Sequence, residues 1–297
     1  MQLLVYIIAY PLLWIIASLP FRLFYLFSDF VYFLVYRVFG YRKKVVVDNI
    51  KMAFPEKSDI EVNRITKKFY KHMCDLFLEM IKSLRISEKE IKKRFYVTNA
   101  EAIDKYTKAH QSVQLICGHF ASYEWAMSLE YHIAHKGYAV YTPLGNKYFD
   151  RLVQKIRKRH NAELISRYES MQTIQMHHDT KVLAMYGMAS DQSPMPMKAK
   201  YWRDFFGINV PVHTGVEFMA KKFDQAVVFI DIQKVKRGYY TATFKEITAT
   251  PNDYPDYEIT DIFTDMLEAQ IRKAPEYYLW THKRFKHRDK HPPGMVK

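Results

Sequence analysis

Three features of the 297-residue sequence predict an α/β fold with a mostly parallel central sheet flanked by helices, preceded by an N-terminal membrane helix. From Ser112 onward, short apolar runs alternate with stretches of helical period, the pattern of strand and helix in an α/β core. Two of the apolar runs end in polar residues, Gly118-His119 and Asp191-Gln192, as strands do when their carboxyl ends face a ligand. Leu3 to Leu19 is an unbroken uncharged run of about the length that crosses a bilayer core.

Taken in order, the first run has no basic residue before it and no clear small-x-small site after it, so it reads as an anchor and not a cleaved signal. Leu23 to Phe39 is rich in Tyr and Phe but broken by Asp29 and Arg37, which reads as an interfacial or partly inserted helix. Arg22, Arg37, Arg42, Lys43 and Lys44 follow the span, and the positive-inside bias then places the body of this single-pass protein in the cytoplasm. Residues 1–44 form this anchor and 45–100 a helical coupling segment, with helices over Val45 to Phe54 and Ile60 to Lys82 separated by Pro55. Residues 101–297 form the core and its basic tail.

Within that core Ser112 to Cys117 is a buried strand, and Trp125, Leu129 and Ile133 mark a helix ending at Gly137. Tyr138 to Leu144 is the next strand and Asn146 to Asn161 a helix with a basic outer face, suited to solvent or to anionic headgroups. Lys181 to Ala189 is an apolar strand leading to Asp191. Met195 to Val212, with its prolines and methionines, reads as a loop that packs on the core or meets lipid. Helix Thr214 to Phe223, strands Ala226 to Val235 and Tyr239 to Ile247 joined as a hairpin, and helix Ile259 to Ala274 complete the order.

A hydrophobic content of 49% with only 9 glycines excludes a disordered chain. The formal charge of +14 calls for anionic partners; beside an anchor, an anionic membrane is a better fit than nucleic acid. Two cysteines, Cys74 and Cys117, offer no disulfide framework and read as small buried hydrophobes in a reducing compartment. There is no His-Glu-x-x-His motif or Cys cluster for a metal, and no Gly-x-Ser-x-Gly elbow for a serine hydrolase.

The chemistry centres on Gly118-His119-Phe120-Ala121-Ser122-Tyr123-Glu124. With His119 at a strand-to-helix corner and Glu124 in the first helical turn, the glutamate folds back beneath the imidazole. A carboxylate on one ring nitrogen leaves the other free to take a proton from a hydroxyl. A surface pair or a cap would have the same spacing. A non-catalytic scaffold holding acidic lipids on the face from Arg151 to Arg159 is the alternative in another class.

Taken together, these stretches resemble the late acyltransferases of lipid A biosynthesis, the lauroyl/myristoyl transferases within the lysophospholipid acyltransferase superfamily. The resemblance rests on Phe54-Pro55-Glu56, the His-x4-Glu box, Pro143-Leu144-x-Asn146, Arg159, Asp191-Gln192, Phe205-Phe206-Gly207 and, most specifically, the Pro275-Glu276-x-Tyr-x-Trp-x-His-x-Arg-Phe-Lys segment. It implies a glycerolipid-acyltransferase-like fold and transfer of a fatty acyl group from acyl carrier protein to a hydroxyl of a lipid A precursor, with no cofactor. By matched position, His119 is the general base, Glu124 its partner, Arg159 a contact for the acceptor or the oxyanion, and Asp191 an orienting group. An Arg159–Asp191 structural pair is the alternative for the last two. An O-acyltransferase acting on a lysophospholipid or aminolipid shares this chemistry.

Overall fold

The computed structural model describes residues 2–290; Met1 and the end of the basic tail, 291–297, lie outside the described residues. Helices come first: α1 (Gln2–Ser18), α2 (Phe21–Tyr32) running into a π-helical turn (Phe33–Val38), α3 (Lys43–Ala53), α4 (Asp59–Lys82) and α5 (Glu88–Arg94). Then follow β1 (Phe95–Val97), α6 (Asp104–Lys108), β2 (Val113–Cys117), a 3-10 segment (Tyr123–Tyr131), β3 (Lys136–Tyr141), α7 (Lys147–Arg157), β4 (Glu163–Ser166), α8 (Ser170–Asp179) and β5 (Ala184–Ala189). The last part holds β6 (Tyr201–Phe205), β7 (Ile208–Val212), α9 (Gly215–Phe223), β8 (Ala226–Lys236), β9 (Tyr239–Thr248) and α10 (Glu258–Lys273).

Seven strands form one sheet in the order β1-β9-β8-β2-β5-β3-β4, and only β8 and β9 pair antiparallel. This is the mostly parallel, helix-flanked α/β sheet that the sequence predicts. Strand β2 lies at its centre and is buried on both faces, as its unbroken apolar run requires. Leu115, Ala139 and Gly187 share one face, toward α4, the 3-10 segment and α7; Tyr138 and Tyr186 share the other, packed with Ile174 of α8 and Phe223 of α9.

Helix α4 begins at a capping box, Ser58 with Glu61, and its buried side carries Ile65, Phe69, Met73 and Leu76. The same helix buries Asp75 and Glu79 as well. Asp75 accepts from Ser28 Oγ at 2.7 Å and from the Arg237 guanidinium at 2.7 to 3.1 Å, while Glu79 accepts from the hydroxyls of Tyr25 and Tyr240 at 2.8 and 2.9 Å. These bonds tie α2, α4 and the β8–β9 turn into one unit, and they satisfy charges that burial would otherwise penalise.

Three expectations are corrected. The helix expected after His119 is a 3-10 segment, in which Ser128 Oγ donates to the carbonyl of Trp125 at 2.7 Å and competes with a regular ladder. The loop expected over Met195 to Val212 contains the antiparallel hairpin β6–β7, turning at Phe206 and Gly207 with φ of 56° and 70°. Two successive positive φ angles make the tight turn favoured between twisted strands, a signal hidden among the prolines and methionines. The single-pass anchor is not found. Among the described residues no single helix is long and apolar enough to cross a membrane; only Phe21–Val38 with Lys43–Ala53, bent by 87°, passes that test as a pair. Helix α1 has 17 residues, and Tyr6, Tyr10, Leu13 and Ala17 along one side pack against the protein.

Asp75→Ala leaves the Arg237 charge without its buried partner. The expected loss is about 2–4 kcal/mol, at the lower side of the range for broken buried pairs because Arg237 retains some solvent contact; urea unfolding of the purified protein measures it.

Candidate active site

Cys117 pairs in register with Ala189 where β2 and β5 run parallel. The amide of Ser190 donates to the carbonyl of Cys117 at 3.0 Å, so the two chains stay side by side past the end of the ladder. Two residues further on each chain stand His119 and Asp191, and His119 Nδ1 lies 2.6 Å from Asp191 Oδ1. The carboxylate on the imidazole is therefore Asp191 and not Glu124, as the His-x4-Glu spacing led one to expect. In the 3-10 segment Glu124 is instead held by Arg157 at the end of α7, through Nε to Oε2 at 3.0 Å and Nη2 to Oε1 at 2.6 Å. This two-point ion pair is largely buried, with the Glu124 side chain 6% and the Arg157 side chain 22% exposed.

Arg159 stands elsewhere. Two residues beyond Arg157, it falls on the opposite side of the turn and points its guanidinium at the carbonyl of Ile86, 3.4 Å away. It pairs with neither Asp191 nor Glu124. The sequence pattern identified a basic helix end but gave no means of choosing among Arg157, Lys158 and Arg159.

The loop that carries His119 is fixed from two sides. A Cβ at Gly118 would meet Leu267 Cδ1 of α10 at 2.5 Å, so the glycine lets loop and helix approach this closely without moving the buried leucine. The closing segment supplies the other side: Ala121, held at a φ of 48°, donates from its amide to the carbonyl of Tyr277 at 2.9 Å, and the amide of Leu279 donates to the carbonyl of His119 at 3.1 Å. The same segment encloses Asp191. Burial raises the pKa of Tyr278, which lies close enough for the charge of Asp191 to add to the rise, the amide of Ser193 donates to His282 Nε2 at 3.3 Å, and buried Arg284 donates from Nη1 to Ser193 Oγ at 3.1 Å and to the carbonyl of Pro211 at 3.3 Å. Tyr278, His282 and Arg284 belong to the segment that carries the family resemblance, yet nothing in the sequence assigns them to Asp191.

Burial by itself would lower the pKa of His119, but the charge of Asp191, the hydrogen bond to it and the nearby charge of Glu124 outweigh burial and raise it above 6.5. Asp191 shows the converse: burial favours its neutral form, and the charge and hydrogen bond of His119 overcome this and hold it down at about 2. With Nδ1 engaged by a carboxylate, Nε2 is the nitrogen left to accept a proton. Cys117 faces the same space, but burial, reinforced by Asp191, pushes its thiol up to about 12, so it stays protonated and unreactive.

His119 opens onto a cavity of about 750 Å³. His119, Tyr123, Glu124, Arg157, Arg167, Gln192 and His213 contribute its polar lining. Leu115, Ala139, Met185, Gly187, Leu129 and Ile133 form an apolar wall between the sheet and the 3-10 segment. The arrangement suits an alkyl chain lying along the sheet with its reactive head at the histidine. Among the described residues, no group of three or more His, Cys, Asp or Glu side chains is placed to hold a metal ion.

The family model for bacterial lipid A biosynthesis acyltransferases matches residues 2–287. The chain belongs to this family. Among its curated relatives are the lipid A biosynthesis lauroyltransferase of Escherichia coli (strain K12), 24% identical over 286 residues that cover 95% of this chain and 91% of that protein, and the palmitoleoyltransferase of the same strain, 20% identical over 249 residues, 83% and 79% of the two. A lipid A biosynthesis acyltransferase of Shigella flexneri matches to the same extent as the latter. For this acyltransferase family member, the deep apolar cavity beside a carboxylate-bound histidine is the candidate place for acyl transfer.

Replacing Asp191 with Asn removes the charge that opposes burial, so the His119 pKa falls below its ordinary 6.5. An NMR titration of the His119 imidazole reads the change; an unaltered midpoint would show that Asp191 does not set it.

Proposed function

We propose that the protein transfers a fatty acyl group from acyl carrier protein to a hydroxyl of a lipid A precursor at the cytoplasmic face of the inner membrane. Family membership supports acyl transfer to lipid A. The observation that carries the mechanism is His119, bound at Nδ1 by Asp191 at the head of an apolar cavity.

In this reading Nε2 of His119 takes the proton of the acceptor hydroxyl as its oxygen attacks the thioester carbonyl. The tetrahedral intermediate collapses with cleavage of the carbon–sulfur bond, the imidazolium returns its proton to the departing thiolate, and ester and free carrier thiol leave. Asp191 orients the ring and stabilises the imidazolium. The oxyanion role assigned by position to Arg159 passes to Arg157, whose guanidinium lines the cavity, and Glu124 holds that guanidinium in place. Glu124 thus acts through Arg157 and through its charge near the histidine. No cofactor takes part, since a thioester is already activated. The acidic carrier and the anionic lipid would both be drawn by a chain of formal charge +14. The placement of a His-x4-Glu box beside a hydrophobic cavity supports the further comparison with glycerolipid acyltransferases.

His119→Ala is expected to lower kcat/KM for acyl transfer about 10²–10⁴-fold with the fold retained, as loss of a general base does. Glu124→Gln loses less. Because the reactive imidazole must be neutral and its pKa is raised, activity falls as pH drops through a value above 6.5, and in Asp191→Asn this limb moves to lower pH while the plateau drops. Mass spectrometry of lipid A and phospholipids from cells with and without the gene tests the acceptor: a mass gain confined to phospholipids would overturn it.

A further inference from the structure

Most of the exposed large apolar side chains among the described residues lie between Leu3 and Tyr41. On α1 the outward face carries Leu4, Ile8, Leu12 and Ile15, each more than half exposed, and Leu26, Phe30, Phe33 and Phe39 continue it along α2 and the π-helical turn. A continuous apolar surface of this kind is not left to water. Exposed Arg22, Arg37 and Lys43 accompany it, while the acid in this stretch, Asp29, is taken by Arg237 and Lys71. Apolar face and cationic rim together match an anionic bilayer.

The opposite side of α1 is held to the protein along its length. Tyr6 stacks on Tyr148 with ring centres 5.8 Å apart, the Tyr10 hydroxyl accepts from Lys155 Nζ at 3.2 Å, the Arg85 guanidinium lies 4.7 Å from the centre of the Trp14 ring, and the carbonyl of Ala17 accepts from Lys82 Nζ at 2.8 Å. Were α1 to cross the membrane in this arrangement, Lys155 and Arg85 would be drawn into the hydrocarbon beside it.

We infer that α1, α2 and the π-helical turn form a monotopic docking surface: they lie in the plane of one anionic leaflet, both ends of α1 stay on the same side, and the cavity opens sideways toward the lipid. The cavity supports the last element, since its exposed lining residues Phe77 and Leu144 lie on α4 and just before α7, the two helices on which α1 packs. Met80 belongs to both the cavity wall and the apolar cluster under α1, and Leu144 precedes by a few residues the Tyr148 and Phe149 on which Tyr6 rests. An acceptor lipid can then present its reacting group to His119 while its other chains remain in the leaflet. This sideways entry rests on the lipid-acceptor reading; the docking geometry does not.

The test uses the full chain in a Gram-negative host. A membrane-impermeant maleimide is applied to Gln2→Cys in spheroplasts and in inverted inner-membrane vesicles, with the natural chain as background. Labelling from the cytoplasmic side alone is expected, and labelling from the periplasmic side overturns the proposal. In a second arm the purified protein is floated with phosphatidylglycerol–phosphatidylcholine vesicles. The Ile8→Glu/Leu26→Glu variant should lose at least about tenfold in bound fraction, while transferring acyl groups to detergent-dispersed lipid A precursor as the natural chain does. Unchanged flotation of a folded double variant overturns the docking surface. Failure of the natural chain to acylate the dispersed acceptor counts against the proposed function and leaves the topology result standing.

Discussion

The parallel pairing of β2 with β5 is the constraint on which the site depends. In a parallel pair a residue's neighbour is set by register alone, so once Cys117 stands opposite Ala189, the residues two further along meet as well. His119 and Asp191, 72 positions apart in sequence, are brought to 2.6 Å by sheet geometry and need no dedicated loop to find each other. A slip of one residue would turn Leu115 to the face of Tyr138 and Tyr186 and carry His119 out of line with Asp191, so core packing and chemistry hold the same register. Gly118 then lets the histidine loop lie against Leu267.

Two carboxylates within reach of one imidazole need different tasks, because burying both unpaired would be costly. Asp191 is spent on His119 and Glu124 on Arg157. The result is a nearly neutral quartet, two acids and two bases, at the head of a cavity with one apolar wall. Such an arrangement keeps charge available at the reacting atoms without placing a net charge against the alkyl wall. Asp75 and Glu79 follow the same rule on α4, where Arg237, Ser28, Tyr25 and Tyr240 satisfy them.

What could be read from the sequence was local. The apolar run ending at Cys117, the asparagine-capped helix at Lys147, the strand before Asp191 and the β8–β9 hairpin all carry periodicity and punctuation within a few residues. The helix-flanked sheet and the identity of His119 as the centre of interest follow from these. Long-range pairing was not legible. The His119–Asp191 contact depends on which strands are neighbours, and Arg157 was selected over Arg159 by rotation about a helix axis, which a cluster of basic residues in sequence does not fix. Helix α1 shows a different limit: composition records that a segment is apolar all round, not that Tyr6, Tyr10 and Leu13 are already occupied by α7 and α4.

The carbonyl of His119 and the amide of Ala121 are fastened by Leu279 and Tyr277, and Asp191 is enclosed by Tyr278 and Arg284. During synthesis these clamps arrive last. The histidine corner of a nascent chain therefore stays unfastened until the stretch through Arg284 has emerged, and a translation product cut short before Tyr277 would lack both these clamps and the buried rings of Tyr278, Trp280 and Phe285.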